Sequence, residues 1–257
     1  MNVIDEIMHL PPTRWIEEKI GILPDRAKFR AASAVRSLRW ASMNYDAEML
    51  IPAAYLALHA TEEAVAAFVS CAKACGYGDN AKINLKDHRA KATVSLLVQK
   101  VSNLLDDYRI GIALDPSGDG LAARFTIDGS VHYREASTRI FHFTAGDHGD
   151  PKADFLDEVV ATFGDIEELK RAVLHGQEVR NTILYATSAG LPTGFLDTEA
   201  SLRRECQLTF GLIWAALDIV RNREEPIIFI AQALRTASLV ISQMGRSRME
   251  DVRMDDA

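Results

Sequence analysis

The sequence predicts an all-α protein, an antiparallel helical bundle with a small inserted β-hairpin. Two observations predict it, and a third bears on function. Most of the chain repeats apolar residues at helical spacing between recognisable caps and breakers. The pattern changes to strand-like alternation only within residues 115–150, where Asp128–Gly129 separates two β-rich runs. Finally, the chain has no glycine-rich phosphate loop, no G-x-S-x-G and no dinucleotide fingerprint, which argues against a nucleotide-dependent enzyme.

Taken in order, Thr13 follows Pro11–Pro12 and is placed to cap a short helix, RWIEEKI, that Gly21 ends. Pro24 and Asp25 open a longer helix over roughly 25–44. It carries Arg26, Lys28, Arg30, Arg36 and Arg39, which spread around the helix at about 100° per residue instead of forming one stripe. Their stems can cover apolar surface, or the charges can meet an acidic partner or RNA backbone. Residues 48–75 form the strongest helical signal, with Pro52 suited to the first turn and Gly76 and Gly78 ending it. A helix over roughly 82–108 follows across a short loop, which favours an antiparallel neighbour.

DPSGDG is turn chemistry. LAARFTI and SVHYRE flank the Asp-Gly turn as a hairpin, and STRIFHF is expected to add a third strand. Helices resume at about 152–163. Asp165, with Glu168 three residues on, resembles a capping box for a helix that reaches about Ala189. Gly190, Pro192 and Gly194 break the chain, a helix follows over about 198–223, and Pro226 begins a last one ending near Met244. Residues 1–114 thus supply the first helices of the bundle, 115–150 the insertion, 151–245 the remaining helices, and 246–257 a charged, flexible tail.

The chain has 257 residues, 48% of them hydrophobic and 25% charged, with a net charge of −7. A chain of this length buries enough surface to fold without a metal or disulfide. Its acidity makes it a poor general binder of nucleic acid, so RNA contact would need a local basic patch. The three cysteines, Cys71, Cys75 and Cys206, make no disulfide framework or zinc set and fit a reducing compartment. The acidic start lacks the pattern of a secretory signal. The longest uncharged run, Asn181 to Leu196, is interrupted by glycine and proline, so no membrane span is expected and the cytoplasm is the expected location.

The chemistry-bearing candidate is HGQEVRNTILYA, residues 175–186. On a helix Asn181 and Tyr185 share a face at i and i+4, and Arg180 can reach the same patch. Guanidinium is well shaped to hold phosphate through parallel hydrogen bonds. This arginine–polar–x₃–tyrosine element resembles the HEPN superfamily, and the RNTILYA stretch looks most like AbiV-type abortive-infection proteins. Two further fragments support the likeness. AAYLALHATEEAVAAF, residues 53–68, is similar to the family's small-residue helix with paired acids, here Glu62 and Glu63. KDHRAK is similar to its Asp-His-x-x-Lys element, here Asp87, His88 and Lys91. The resemblance covers about 48–95 and 165–190.

The resemblance implies metal-independent RNA cleavage by a homodimer, without a cofactor. The ribose 2′-OH attacks the adjacent phosphate, Arg180 contacts it, Asn181 and Tyr185 complete the site, and Glu62 orients the arginine. Glu63, His88 and Lys91 are expected on the substrate side, and the acids are expected to pair with Lys91, His88 or Arg180. One feature departs from the family pattern: no histidine lies four to six residues beyond Arg180. A normal tyrosine, with a pKa of about 10, is ionised about one part in a thousand near neutrality. Tyr185 is therefore expected to act as an acid or to orient the phosphate unless Arg180 and its dimer mate lower that pKa.

Two other classes stay open. One is a non-catalytic interaction or regulatory protein built on the same bundle. The other is a metal-dependent hydrolase at His59, Glu62, Glu63 and His88, although di-metal bundles need a matching Glu-x-x-His that is absent here. His132, His142 and His148 fall in or near the insertion and are expected to be solvated loop histidines.

Overall fold

The computed structural model describes residues 1–78, 83–107, 109–117, 120–145, 149–184 and 198–255. Five helices come first: α1 (Val3–Met8), α2 (Pro11–Lys19), α3 (Asp25–Asp46), α4 (Leu50–Ala74) and α5 (His88–Asp107). Strands β1 (Gly111–Leu114), β2 (Leu121–Ile127) and β3 (Ser130–Glu135) follow. Helices α6 (Leu156–Phe163), α7 (Ile166–Leu184), α8 (Thr198–Arg221) and α9 (Ile228–Asp255) complete the order. The protein is predominantly helical with one small antiparallel sheet, the class expected from its periodicity.

Helix α4 is the centre of the helical assembly and packs most extensively on α3 and α8. Its buried positions are largely alanine, including Ala53, Ala57, Ala60, Ala64 and Ala67, each fully buried. Side chains this short let neighbouring backbones approach closely while adding no rotamer entropy cost. Helix α3 answers with Ala27, Ala31, Ala34, Leu38 and Ala41, a stripe at three- and four-residue spacing. Residues 47–49 connect the two helices, and Arg30 meets Glu63, so α3 and α4 run antiparallel. The pairing of α4 with α8 is different. Thr61 contacts Glu205 and Cys71 contacts the carbonyl of Ala216, so these two helices, far apart in sequence, run parallel.

Caps set several boundaries. Asn2 accepts from the amides of Ile4 and Asp5, both at 3.0 Å, and starts α1, a helix that the sequence pattern did not suggest. The expected Thr13 cap is not used. Helix α2 already begins at Pro11, whose missing N–H costs nothing in a first turn, and Thr13 is buried inside it. Helix α4 ends before Gly76 (φ 88°) and Gly78 (φ 49°), both in the left-handed region. Asp165 accepts from the amide of Glu168 at 2.8 Å and caps α7 as expected. Helix α9 continues well past Met244, to Asp255, through most of the segment expected as a tail.

The insertion differs from expectation in one strand. Asp128 (φ 49°) and Gly129 (φ 80°) make the tight turn between β2 and β3, with Ile127 opposite Ser130. The third strand is β1, which precedes the hairpin and pairs antiparallel with β2; STRIFHF forms none. That segment has other partners. Buried Asp218 of α8 accepts from the Thr138 amide and Oγ1, each at 2.6 Å, and from Ser137 Oγ at 3.1 Å. Gln232 of α9 accepts from the Phe143 amide at 3.0 Å and donates to the Phe143 and Lys152 carbonyls at 2.8 and 2.7 Å. Thr236 Oγ1 accepts from the Phe155 amide at 3.0 Å. These helix side chains satisfy backbone groups that a sheet ladder would otherwise satisfy. Phe143, Phe155 and Phe229 stack beneath them.

Among the described residues no helix is long and apolar enough to cross a membrane. Replacing Asp218→Ala removes the acceptor of three donors in the strap and of Asn222 Nδ2. Unfolding in urea is expected to show a loss of about 3 kcal/mol, with faster amide exchange at Thr138. An unchanged midpoint would mean that the strap is not held from α8.

Candidate functional site

Between α4, α5, α7 and α8 lies a cavity of about 530 Å³. Much of its wall is apolar, from residues such as Ala57, Leu58, Leu96, Val173 and Leu208. Against that wall stands a compact charged cluster. Glu62 of α4 accepts from Arg180 Nε of α7 at 2.7 Å. Each of its oxygens lies 3.1 Å from His88 Nδ1 at the start of α5, and Lys91 Nζ is 3.5 Å from Oε2. Glu62 and Lys91 are largely buried, Arg180 is 19% exposed and His88 is 39% exposed. One carboxylate therefore ties three helices together and is itself compensated from two of them, as a semi-buried charge requires.

The local reasons are simple. Lys91 follows His88 by three residues, so both point from the same face of α5 toward α4. The α5 start is held by Asp87, whose carboxylate accepts from the Arg89 amide at 2.9 Å. Glu62 sits where the otherwise alanine-rich surface of α4 turns from its contact with α8 toward the cavity.

A second carboxylate, Glu205 of α8, lines the same cavity. It is buried, accepts from Thr61 Oγ1 at 2.7 Å, and is gripped by Arg204 through Nε and Nη2 at 3.0 and 2.8 Å. Arg204 is half exposed. The cavity thus contains two acid–arginine pairs and two imidazoles, those of His88 and His175. Such a set can bind an anion through arginine and exchange a proton through histidine.

The residues singled out from the sequence do not all converge. Glu62, His88 and Lys91 are brought to Arg180, and all but Lys91 line the cavity. Glu63 is not beside them. One residue along a helix is a turn of about 100°, and Glu63 faces α3, where it pairs with Arg30 at 2.6 Å. The substrate-side placement expected of Glu63 is therefore corrected, as is its expected pairing with Lys91, His88 or Arg180. Asn181 is solvent-exposed and does not line the cavity, whereas Arg180 does. Tyr185 lies outside the described residues.

Of the residues proposed for a metal site, Glu62 and His88 stay together and the other two do not join them. His59 stacks on Tyr55, with ring centroids 6.2 Å apart, while Glu63 goes to α3. Among the described residues no cluster of three or more His, Cys, Asp or Glu could hold a metal ion. Two of the three thiols, Cys71 and Cys206, are buried and poor nucleophiles. Burial pushes Cys206 up to about 12, and Cys71 is raised further by burial and by its neighbour Cys75.

Sequence reasoning missed His175, Arg204, Glu205 and Thr61 as cavity residues. His175 lies five residues before Arg180, whereas the family pattern places its histidine after the arginine. Glu205 and Thr61 are 144 residues apart, so only the parallel packing of α4 and α8 joins them.

Comparison with protein-family models, with curated proteins and with solved structures finds no match for this chain.

Because Glu62 holds a part-buried Arg180 and Lys91, Glu62→Ala should lower stability by about 3 kcal/mol in urea unfolding. Breaking the exposed Arg39–Glu17 pair with Arg39→Ala should cost less than about 1 kcal/mol. Equal losses in the two variants would deny the cluster its structural role.

Proposed function

We infer that this chain is a HEPN-like RNA-cleaving effector of prokaryotic abortive-infection defence, a metal-independent endoribonuclease acting as a homodimer. The observation that carries this reading is the setting of Arg180. It stands in a cavity wall, and Glu62 takes its Nε edge. An arginine held by one edge can present its terminal nitrogens to a phosphate with little loss of side-chain entropy. This is the orienting role that the family likeness implies for Glu62. On this reading Arg180 binds the scissile phosphate and stabilises the charge that grows on its oxygens as the ribose 2′-OH attacks. Lys91, about 3.5 Å from Glu62, balances that carboxylate so that Arg180 is not fully neutralised. Tyr185 remains proposed for the same site, whereas Asn181 is exposed and outside the cavity wall.

A second reading, a non-catalytic regulatory protein on the same bundle, is favoured by the outer face of α3. Phe29, Trp40 and Met43 are 67%, 48% and 67% exposed and share one stripe with Arg36, whose guanidinium lies over Trp40.

Purified protein in EDTA should cleave a fluorophore–quencher RNA, and its all-deoxy counterpart should stay intact. Arg180→Ala should lower kcat by about 100-fold or more while the circular dichroism spectrum and dimer are kept. Turnover by Arg180→Ala equal to the wild type would remove Arg180 from the chemistry. The regulatory reading predicts no cleavage by either protein and a co-purifying partner lost on Trp40→Asp.

A further inference from the structure

We propose that His88, with its tautomer set by Glu62, is the general base that takes the proton from the attacking ribose hydroxyl. This rests on the RNA-cleavage reading above and supplies the proton acceptor that the segment after Arg180 lacks.

The argument is geometric. A carboxylate can only accept hydrogen bonds, so the 3.1 Å contacts from His88 Nδ1 to both Glu62 oxygens place the ring proton on Nδ1. Nε2 then carries a lone pair on the far side of the ring. The ring lines the cavity and is 39% exposed, so Nε2 can meet a ligand there. Glu62 also grips Arg180, so the base and the phosphate-binding cation are positioned by the same group. A carboxylate that orients imidazole and stabilises the imidazolium is a positioning residue, and Glu62 has that role here.

The charged and titratable groups around His88 come from every helix of the cavity. Glu62 is on α4, Lys91 on α5, Arg180 and His175 on α7, and the Arg204–Glu205 pair on α8. Among the described residues His175 makes no bond to Glu62, so its tautomer is not set in this way.

The step balances without a co-reactant. The 2′-O–H bond breaks and its proton passes to His88 Nε2. The 2′-oxygen forms a bond to phosphorus, the P–O5′ bond breaks, and a 2′,3′-cyclic phosphate results. The 5′-oxygen takes a proton from water, and the hydroxide so formed accepts the proton from the imidazolium. Arg180 balances charge on the phosphoryl oxygens throughout.

The test uses the full-length chain and the fluorophore–quencher RNA in EDTA. Relative to the wild type, His88→Gln should lose about 100-fold or more in kcat with little change in KM. The pH profile of kcat/KM should change in the same variant, because the group that takes the proton is gone. His88→Ala should be partly rescued by added imidazole, which a structural loss would not be. Nitrogen-15 NMR of the wild type should find the His88 proton on Nδ1. Wild-type cleavage that persists in His88→Gln, with the same pH profile, overturns this proposal and leaves the RNA-cleavage reading standing. A neutral ring protonated on Nε2 also overturns it. A wild-type protein that cleaves no RNA overturns both.

Discussion

The closeness of α3, α4 and α8 is the constraint on which the rest of the molecule depends. Alanine at the buried positions of α4 makes it possible, because longer side chains would hold the neighbouring backbones apart. With little volume on α4, the bulk of the core comes from elsewhere, from Leu38 on α3 and Leu212, Ile213 and Leu217 on α8. The same closeness puts α5 and α7 at the remaining side of α4, where Glu62 emerges. A charge at that point would be costly without partners, and the approach of α5 and α7 supplies them as Lys91, His88 and Arg180.

Polar groups inside this protein recur as joints between distant parts of the chain. Asp218, Gln232 and Thr236 bind the irregular strap after the hairpin to α8 and α9. Thr61 and Glu205 lock the parallel pair α4 and α8, and Tyr77 receives the amide of Ile227 at 2.9 Å. A buried polar bond is worth little net energy compared with an unmade one, so such joints select one arrangement among many that bury similar apolar area. Glu62 belongs to this set, since it joins three helices and also stands in the cavity wall.

Legibility from sequence followed the range of the interaction involved. The capping of α7 by Asp165, the end of α4 at Gly76 and the Asp128–Gly129 turn were all readable, since each depends on residues within a few positions. The third strand was misplaced because Thr138 and Phe143 are β-compatible locally but are held by side chains about 80 and 89 residues away. Helix α1 was missed because Val3, Ile4, Ile7 and Met8 span too short a segment for a periodic signal. In the cluster, Glu62, His88, Lys91 and Arg180 were each conspicuous in the sequence. Their meeting was suggested by family likeness, and Glu63 could not be separated from Glu62 until the rotation of α4 was known.

By itself the sequence determined the helical class, the hairpin and most helix limits, because caps, turns and periodicity act over one or two turns of chain. Only the tertiary structure decided which face of α4 meets which neighbour. That choice turns Glu62 toward Arg180 and Glu63 toward Arg30. It rests on the sum of weak contacts along whole helix faces, a quantity that no local stretch of residues contains.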